Sequence, residues 1–148
     1  MPILFSKVSD RYGCFSNFSR HHIVVDGKRW RTVEHYFQAM KFPHEPDRQK
    51  RIQQASTPKE AKRIAWKKPA RVPKEWDRMR LQIMLTALRA KFEQHAELRE
   101  TLLSTESETL VEHTSRDSYW GDGGRPGRGA NKLGILLMQV RDELRRDD

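Results

Sequence analysis

The feature that most limits how this chain can fold is a glycine-rich stretch at residues 116–134, RDSYWGDGGRPGRGANKLG. It contains six of the eight glycines in the chain, so neither a long helix nor a long strand is expected there. We therefore expect a loop that lets a ligand come close to main-chain N–H groups. An apolar helix begins near Asn131, and its free N–H groups and positive dipole end would favour an anion.

The loop also carries two acids, Asp117 and Asp122, and two aromatic residues, Tyr119 and Trp120. Acids, flat rings and an anion-friendly backbone suggest a site for a phosphorylated, ring-bearing molecule. The alternative is a surface loop in which Asn131 is an ordinary N-cap. Loops carry function unusually often, and composition alone leaves both interpretations open.

Length and composition indicate one polar domain. The chain has 148 residues, enough for a real core, and 33% of them are charged, with a mean hydropathy of -0.89. No apolar run approaches the roughly 20 residues of a membrane helix, and the N-terminus lacks the features of a signal peptide. We expect a cytoplasmic protein that does not bind membranes; the oligomeric state is not predicted.

The formal net charge is +9, and the pI is about 10.0. This balance attracts phosphate, either in nucleic acid or in a small metabolite. Much of the excess lies between Lys59 and Arg80, where a solvated helical surface explains most of the side chains. The basic residues within this segment are Lys62, Arg63, Lys67, Lys68, Arg71, Lys74 and Arg78.

Periodicity and capping signals predict a mainly helical chain. The predicted helices cover residues 32–42, 47–54, 57–66, 74–94 and 96–103, with a last helix from about residue 131. Prolines at 69 and 73 break the chain between the third and fourth helices. A strand is predicted at residues 2–8, a hairpin around the turn Asp26-Gly27, and a strand or extended segment at TLVEHT. The predicted fold class is α+β, a compact, mostly helical single domain over residues 1–148 with a small N-terminal sheet.

The first helix is the clearest, with Thr32 as its N-cap. Its apolar face contains residues at helical spacing, namely Val33, Tyr36, Phe37 and Met40. Glu34, Gln38 and Lys41 lie on a neighbouring polar face and can act together on a ligand. The helix dipole favours the ionised form of Glu34. The alternative is an ordinary acidic residue that pairs loosely with its helix neighbours.

Two later helices have apolar lines that predict core positions. The line of the long helix consists of Trp76, Met79, Ile83, Ala87 and Ala90, widened by Met84 and Leu88. The line of the last helix consists of Leu133, Leu136, Leu137, Val140 and Leu144.

Several common chemistries lack their motifs. The single cysteine, Cys14, excludes a thiolate zinc cluster, the histidines do not form H-E-x-x-H, and neither phosphate-binding glycine motif is present. We therefore expect no metal and no organic cofactor. The acids Glu34, Asp117 and Asp122, with Trp76 and Trp120, suit chemistry on a sugar: carboxylates stabilise an oxocarbenium-like transition state or activate water, and indole faces hold a flat base.

Five blocks of sequence together resemble the YbiA-like N-glycosidases of the NADAR family. In order, these blocks are YGCFSNF, DGKRWRTVEHYFQAMKF, ALRAKFEQHAELRETLL, LVEHT and DSYWGDGG…GANKLGILLMQVR. The resemblance covers nearly the whole chain. It implies a compact α+β domain that hydrolyses the N-glycosidic bond of early riboflavin-pathway intermediates, the 5-phosphoribosylamino-pyrimidines, to ribose 5-phosphate and an aminopyrimidine. Removal of such reactive intermediates would be metabolite damage control.

The resemblance also implies roles for particular residues. By motif, the functional glutamate corresponds to Glu34, the functional aspartate to Asp117, and the two functional tryptophans to Trp76 and Trp120. The segment at residues 66–68 departs from the family pattern because it lacks the glycine often found after the capping-box helix. Further candidates to hold phosphate and ribose are Asn17, Lys41, Gly121, Arg128, Asn131 and Lys132.

Two alternative functions stay open at this point. Other members of the wider family act on ADP-ribose, including ADP-ribose attached to guanine, and only that substrate would make nucleic acid a partner. A basic chain with exposed tryptophans could also bind ADP-ribose or nucleic acid without catalysis. The two acids argue against simple binding, since acids repel phosphates.

Overall fold

The computed structural model describes residues 1–67 and 72–147. Within these residues the strands are β1 (Ile3–Phe5), β2 (Ile23–Val25), β3 (Lys28–Trp30) and β4 (Leu110–Glu112). The α-helices are α1 (Val33–Ala39), α2 (Pro46–Gln54), α3 (Pro58–Trp66), α4 (Trp76–Gln94), α5 (Ala96–Ser104) and α6 (Lys132–Arg146), and a single 3-10 turn covers Gly13–Phe15. The protein is mostly helical with small sheets, which confirms the predicted α+β class.

The chain divides into two compact units. The terminal unit contains residues 1–19 and 92–148, and the central unit contains residues 20–91. Helix α4 begins in the central unit and ends in the terminal unit. The expectation of one domain over residues 1–148 stays a prediction.

The central unit starts with a hairpin, in which β2 pairs with β3 in antiparallel register from Ile23 opposite Trp30 to Val25 opposite Lys28. Asp26 and Gly27 both have positive φ values, 51° and 77°, as the predicted tight turn requires. Helices α1, α2 and α3 pack against one another, and α1 also contacts β3.

Local capping signals set where the helices of the central unit begin. The side chain of Thr32 accepts a hydrogen bond from the His35 N–H, and the side chain of Thr57 accepts one from the Glu60 N–H. Each bond satisfies a donor that the first helical turn leaves unpaired. Pro58 follows Thr57 at the first helical position, where its missing N–H costs nothing.

In the terminal unit the N-terminal strand has a distant partner. Strand β1 pairs with β4 in parallel register, with Ile3 opposite Leu110 and Phe5 opposite Glu112. Helix α6 packs against both β4 and α5. Three aromatic rings form the core beside this sheet: Phe15 lies 5.7 Å from Phe5 and 6.0 Å from Phe92 between ring centroids. The predicted N-terminal sheet therefore consists of two separate pairs of strands.

Two sequence predictions about the core have different outcomes. The five apolar residues predicted for the last helix are all buried. In the long helix, Met79 was predicted to face the core, and this is wrong, since Met79 is 41% exposed. The flanking positions Met84 and Leu88 are buried. Trp76, Ala87 and Ala90 of the predicted line are buried as well, so the prediction fails at Met79 and not along the whole line.

Three features of the sequence analysis lie outside the described residues, namely Pro69, Lys68 and Arg71. None of the helices in the described ranges has the length and apolar character needed to cross a membrane.

Candidate functional site

Helix α1 is buried on every side. All seven of its residues are buried, including the polar Glu34, His35 and Gln38. The polar face predicted from the sequence is therefore covered by protein for the length of this helix. Buried polar groups need hydrogen-bond partners, so the partners of Glu34, His35 and Gln38 show whether each side chain serves the fold or is left for a ligand.

His35 has a structural explanation. It is fully buried, its Nε2 lies 2.9 Å from the carbonyl oxygen of Ala55, and its Nδ1 lies 2.7 Å from Thr32 Oγ1. A carbonyl only accepts, so Nε2 carries the proton and Nδ1 accepts from the threonine hydroxyl. Burial lowers the pKa of His35 more than the Ala55 hydrogen bond raises it, and Arg31 lowers it further. The ring is held neutral in one tautomer.

Glu34 is a buried carboxylate next to a buried amide. It is 7% exposed, and its Oε1 accepts a hydrogen bond of 2.6 Å from Nε2 of Gln38, which is 3% exposed. The two residues are four positions apart and therefore lie on one side of α1. A negative charge held in a poorly solvated place interacts more strongly with a developing positive charge than it would in water.

Lys41 follows α1 and lies among aromatic rings. Its Nζ is 4.7 Å from the ring centroid of Trp66, 5.7 Å from that of Phe37 and 5.9 Å from that of Trp76. Burial lowers the pKa of Lys41, while the negative charge of Glu34 raises it and the positive charges of Lys62 and Arg80 lower it. The ammonium is thus held by ring faces.

The two tryptophans near Lys41 differ in accessibility. Trp76 is 8% exposed and packs against Phe37 with ring centroids 5.2 Å apart, whereas Trp66 is 66% exposed. The structure therefore gives Trp76 a core contact, while the indole open to a ligand belongs to Trp66. The sequence analysis did not include Trp66 among the site residues. One signal was present: Trp66 is out of helical register with Ala61, Ile64 and Ala65, the buried residues of α3.

In the terminal unit, Asp117 organises the start of the glycine-rich loop. Its Oδ1 accepts hydrogen bonds from the N–H groups of Tyr119, at 2.9 Å, and Trp120, at 2.8 Å. Its backbone oxygen accepts from the N–H of Gly123. Within the described residues Oδ2 receives no hydrogen bond, so one carboxylate oxygen is available for other chemistry.

Asp122, the second acid of the loop, is used entirely for structure. It is 1% exposed, and it accepts hydrogen bonds from His113 Nδ1 at 2.7 Å, the Thr114 N–H at 3.1 Å and the Gly124 N–H at 2.8 Å. Burial raises the pKa of Asp122, but these hydrogen bonds and the His113 charge outweigh burial and lower it. Asp122 therefore ties Gly124 in the middle of the loop to the segment before the loop, around an ionised carboxylate.

The prediction that free N–H groups at the start of the last helix would bind an anion is wrong. The N–H groups of Lys132 and Leu133 donate to the carbonyl oxygens of Tyr119 and Trp120, at 3.0 and 3.1 Å. These donors hold the loop against α6 and are not free for phosphate. The side chain of Asn131 is likewise engaged, since it accepts from the Glu112 N–H and donates to the Leu110 carbonyl. Asn131 is the N-cap residue, but it has a left-handed backbone with φ 49° and no side-chain cap.

Gly121 is required by close packing. A Cβ at this position would lie 2.7 Å from Thr114 Cγ2 and 2.8 Å from the Glu112 carbonyl oxygen, too close for any side chain. The residue is buried, so its lack of a side chain serves the fold of the loop. Trp120 is half-buried and contacts Tyr119 edge-on, with ring centroids 5.0 Å apart.

The remaining candidates are distributed as follows. Glu34, Lys41 and Trp76 belong to the central unit, and Asp117, Trp120 and all the other candidates belong to the terminal unit. Arg128 is exposed, whereas Asn17 and Lys132 are half-buried. Within residues 1–67 and 72–147, no group of three or more histidine, cysteine, aspartate or glutamate side chains could hold a metal ion.

Comparison with known proteins shows which family the chain is similar to. The model of the NADAR domain matches residues 4–145. The chain is 52% identical over 142 residues to N-glycosidase YbiA of Escherichia coli strain K12, covering 96% of this chain and 88% of that protein. It is also 40% identical to the riboflavin biosynthesis protein PYRR, chloroplastic, of Zea mays, covering 96% of this chain and 25% of that one.

The solved structures give the same result. The NMR structure of the E. coli protein YbiA matches with a TM-score of 0.89 and 50% sequence identity, over 98% of this chain and 85% of that chain. The protein is thus a homologue of N-glycosidases in both sequence and fold. On the match of the domain model and these identities, the chain belongs to the NADAR domain family.

Proposed function

We propose that this protein is an N-glycosidase that hydrolyses 5-phosphoribosylamino-pyrimidines, the early intermediates of riboflavin biosynthesis, to ribose 5-phosphate and an aminopyrimidine. The observation that carries the proposal is the buried Glu34 carboxylate, held by Gln38 at 2.6 Å. The N-glycosidase relative supports the reaction class, and the riboflavin biosynthesis relative supports the substrate. Removal of a reactive intermediate would make the role metabolite damage control.

The reaction needs a stabiliser for positive charge. As the bond between the anomeric carbon and nitrogen breaks, its electron pair goes to the amine, and positive charge develops on the sugar. We assign the stabilisation of this charge to Glu34, because a fixed, desolvated carboxylate requires no reorganisation when the charge appears. Water then bonds to the anomeric carbon, one of its protons is lost, and the leaving amine gains a proton.

We assign to Asp117 the orientation of the attacking water and the acceptance of its proton. Its Oδ1 is fixed by the Tyr119 and Trp120 N–H groups, which orients the carboxylate, and its Oδ2 has no donor among the described residues. A carboxylate with one fixed and one open oxygen can orient water and receive its proton. Trp120 supplies a ring face for the base, and Arg128 and Lys132 of the same unit supply positive charge for the phosphate. The reaction uses no metal or cofactor, so activity should survive exhaustive chelation.

The decisive experiment is a substrate panel assayed for the released sugar, ribose 5-phosphate from the pyrimidine substrate and ADP-ribose from the guanine conjugate. The panel contains 5-phosphoribosylamino-pyrimidine and ADP-ribosylated guanine, the substrate of the second candidate function. We expect the wild-type protein and a Glu60→Gln control to cleave the first, and Glu34→Gln to lose this activity. Cleavage of the guanine conjugate alone would move the assignment to ADP-ribose, and binding of ADP-ribose without cleavage of either compound would indicate a binding module. The expected location is the cytoplasm.

A further inference from the structure

Gln38 has an acceptor oxygen that none of the described residues uses. Its side chain is 3% exposed, and its Nε2 donates to Glu34 Oε1. Its Oε1 is buried and receives no hydrogen bond from any group in the described part of the chain. A buried acceptor without a donor is uncommon and costs stability, so its presence calls for a specific explanation.

The orientation of the amide is determined by its neighbour. An ionised carboxylate only accepts hydrogen bonds, so the group that approaches Glu34 at 2.6 Å must be the amide nitrogen. A flipped amide would bring two oxygens together. Oε1 is therefore directed away from Glu34 and into a place where residues 1–67 and 72–147 supply no donor.

The two basic residues close to Gln38 in sequence, His35 and Lys41, do not bond to this acceptor. The ammonium of Lys41 faces the rings of Trp66, Phe37 and Trp76. The ring of His35 is held between Thr32 and Ala55. The acceptor thus suits a hydroxyl group that arrives with a ligand.

We propose that Gln38 Oε1 accepts a hydrogen bond from the 2-hydroxyl of the substrate ribose while Gln38 Nε2 orients Glu34. This inference rests on the proposed function, in which Glu34 acts beside the anomeric carbon. The 2-hydroxyl is on the neighbouring carbon, and hydrogen bonds to this hydroxyl strengthen in glycosidic transition states. One amide then links the catalytic carboxylate to the sugar, which would favour ribosyl over deoxyribosyl substrates.

The test is a cycle of four rates. The kcat/KM values of wild type and Gln38→Met are measured on the 5-phosphoribosylamino-pyrimidine and on its 2′-deoxyribosyl form. The intrinsic difference in bond lability between the two substrates is the same for both proteins and cancels in the ratio of ratios. We expect the preference for the ribosyl substrate to fall about 10-fold or more in the variant, mainly through kcat.

A matched control and the contrary results complete the cycle. Gln49, in the same unit, donates to the Ala39 carbonyl at 3.2 Å, and Gln49→Met should keep the wild-type preference. A purely structural role for Gln38 would lower both rates equally. An unchanged preference in Gln38→Met, or an equal change in Gln49→Met, overturns the inference while hydrolysis by wild type leaves the proposed function standing.

A second measurement requires neither turnover nor a folded variant. Calorimetric titration of the wild-type protein with ribose 5-phosphate and with 2-deoxyribose 5-phosphate should show about 10-fold weaker binding of the deoxy sugar. Equal affinity for the two sugars would overturn the inference. If wild type cleaves no substrate, the proposed function fails, and this pair of ligands still decides whether the 2-hydroxyl is recognised.

Discussion

Helix α1 and the glycine-rich loop before α6 each hold a carboxylate that we assign to the reaction, but they hold it by different physical means. In α1 the surrounding protein buries every residue, and Glu34 has a side-chain amide as partner. In the loop, the backbone N–H groups of Tyr119 and Trp120 fix Asp117, which stays partly open to solvent.

Because of this difference, substitutions in the two regions should differ in their effects on folding stability and on ligand binding. Changes around α1 disturb close packing, so they should affect folding as well as chemistry. Changes in the exposed parts of the loop disturb few buried contacts, so their effect should fall on the ligand. Asp122 is the exception in the loop, because it is buried and fully hydrogen-bonded.

The largest expected effect concerns the packing around α1. Trp76→Ala removes a ring that is 8% exposed and contacts Phe37. Loss of such a buried ring typically costs about 3–5 kcal/mol of unfolding free energy. Denaturant and thermal unfolding measure this cost. Trp120→Ala is the matched comparison, and the contrast between helix and loop breaks down if it unfolds as early as Trp76→Ala.

The next largest effect is expected from a substitution that removes a charge and leaves the packing unchanged. Glu34→Gln is nearly isosteric and keeps an oxygen that can accept from Gln38, so the fold should survive. Loss of the negative charge should lower kcat on the order of 100-fold or more. Asp117→Asn should likewise keep its loop, because the amide oxygen still accepts from Tyr119 and Trp120. A folded Glu34→Gln with wild-type kcat would remove Glu34 from the mechanism.

A smaller effect is expected from the loop tryptophan. Stacking of a base on an aromatic ring contributes about 1–3 kcal/mol. Trp120→Ala should therefore raise KM roughly 5- to 150-fold, with little change in melting temperature. Trp66→Ala sharpens the comparison, since Trp66 is the exposed indole of the central unit. If Trp120→Ala melts early with a normal KM, its role is structural.

The smallest effect is on the pH dependence of stability, where the two regions should differ. Both His35 and Asp122 have folded-state pKa values below their ordinary values of 6.5 and 3.8. In both cases the unfolded chain binds the proton more readily, so stability is lost as the pH falls. The loss linked to His35 begins as pH falls below 6.5, and the loss linked to Asp122 begins only near 3.8 and continues through its folded pKa.

Each group changes the slope of the unfolding free energy against pH by at most about 1.4 kcal/mol per pH unit. Unfolding measured between about pH 8 and pH 3 should therefore show two separate declines. His35→Gln should flatten the first decline, and Asp122→Asn should flatten the second. A first decline that persists unchanged in His35→Gln would show that another group causes it.

The secondary structure was largely predictable because its signals are local. Thr32 caps α1, Thr57 and Pro58 start α3, and Asp26-Gly27 forms the hairpin turn, each through interactions within a few residues. The pairing of β1 with β4 was not predictable in this way. It joins Ile3 to Leu110, and three-residue strands contain too little pattern to specify a partner so distant in sequence.

The candidate residues also came from the sequence, through the blocks that resemble the NADAR family, but their surroundings did not. Helical periodicity placed Glu34 and Gln38 on a polar face, and only the packing of other segments around α1 buried them. The sequence predicted free N–H groups for an anion at the start of α6, but these groups donate to the loop carbonyls of Tyr119 and Trp120. Residue types and caps act over a few positions, whereas burial and hydrogen-bond partners depend on segments far along the chain, so only the tertiary structure decided which polar groups were left for a ligand.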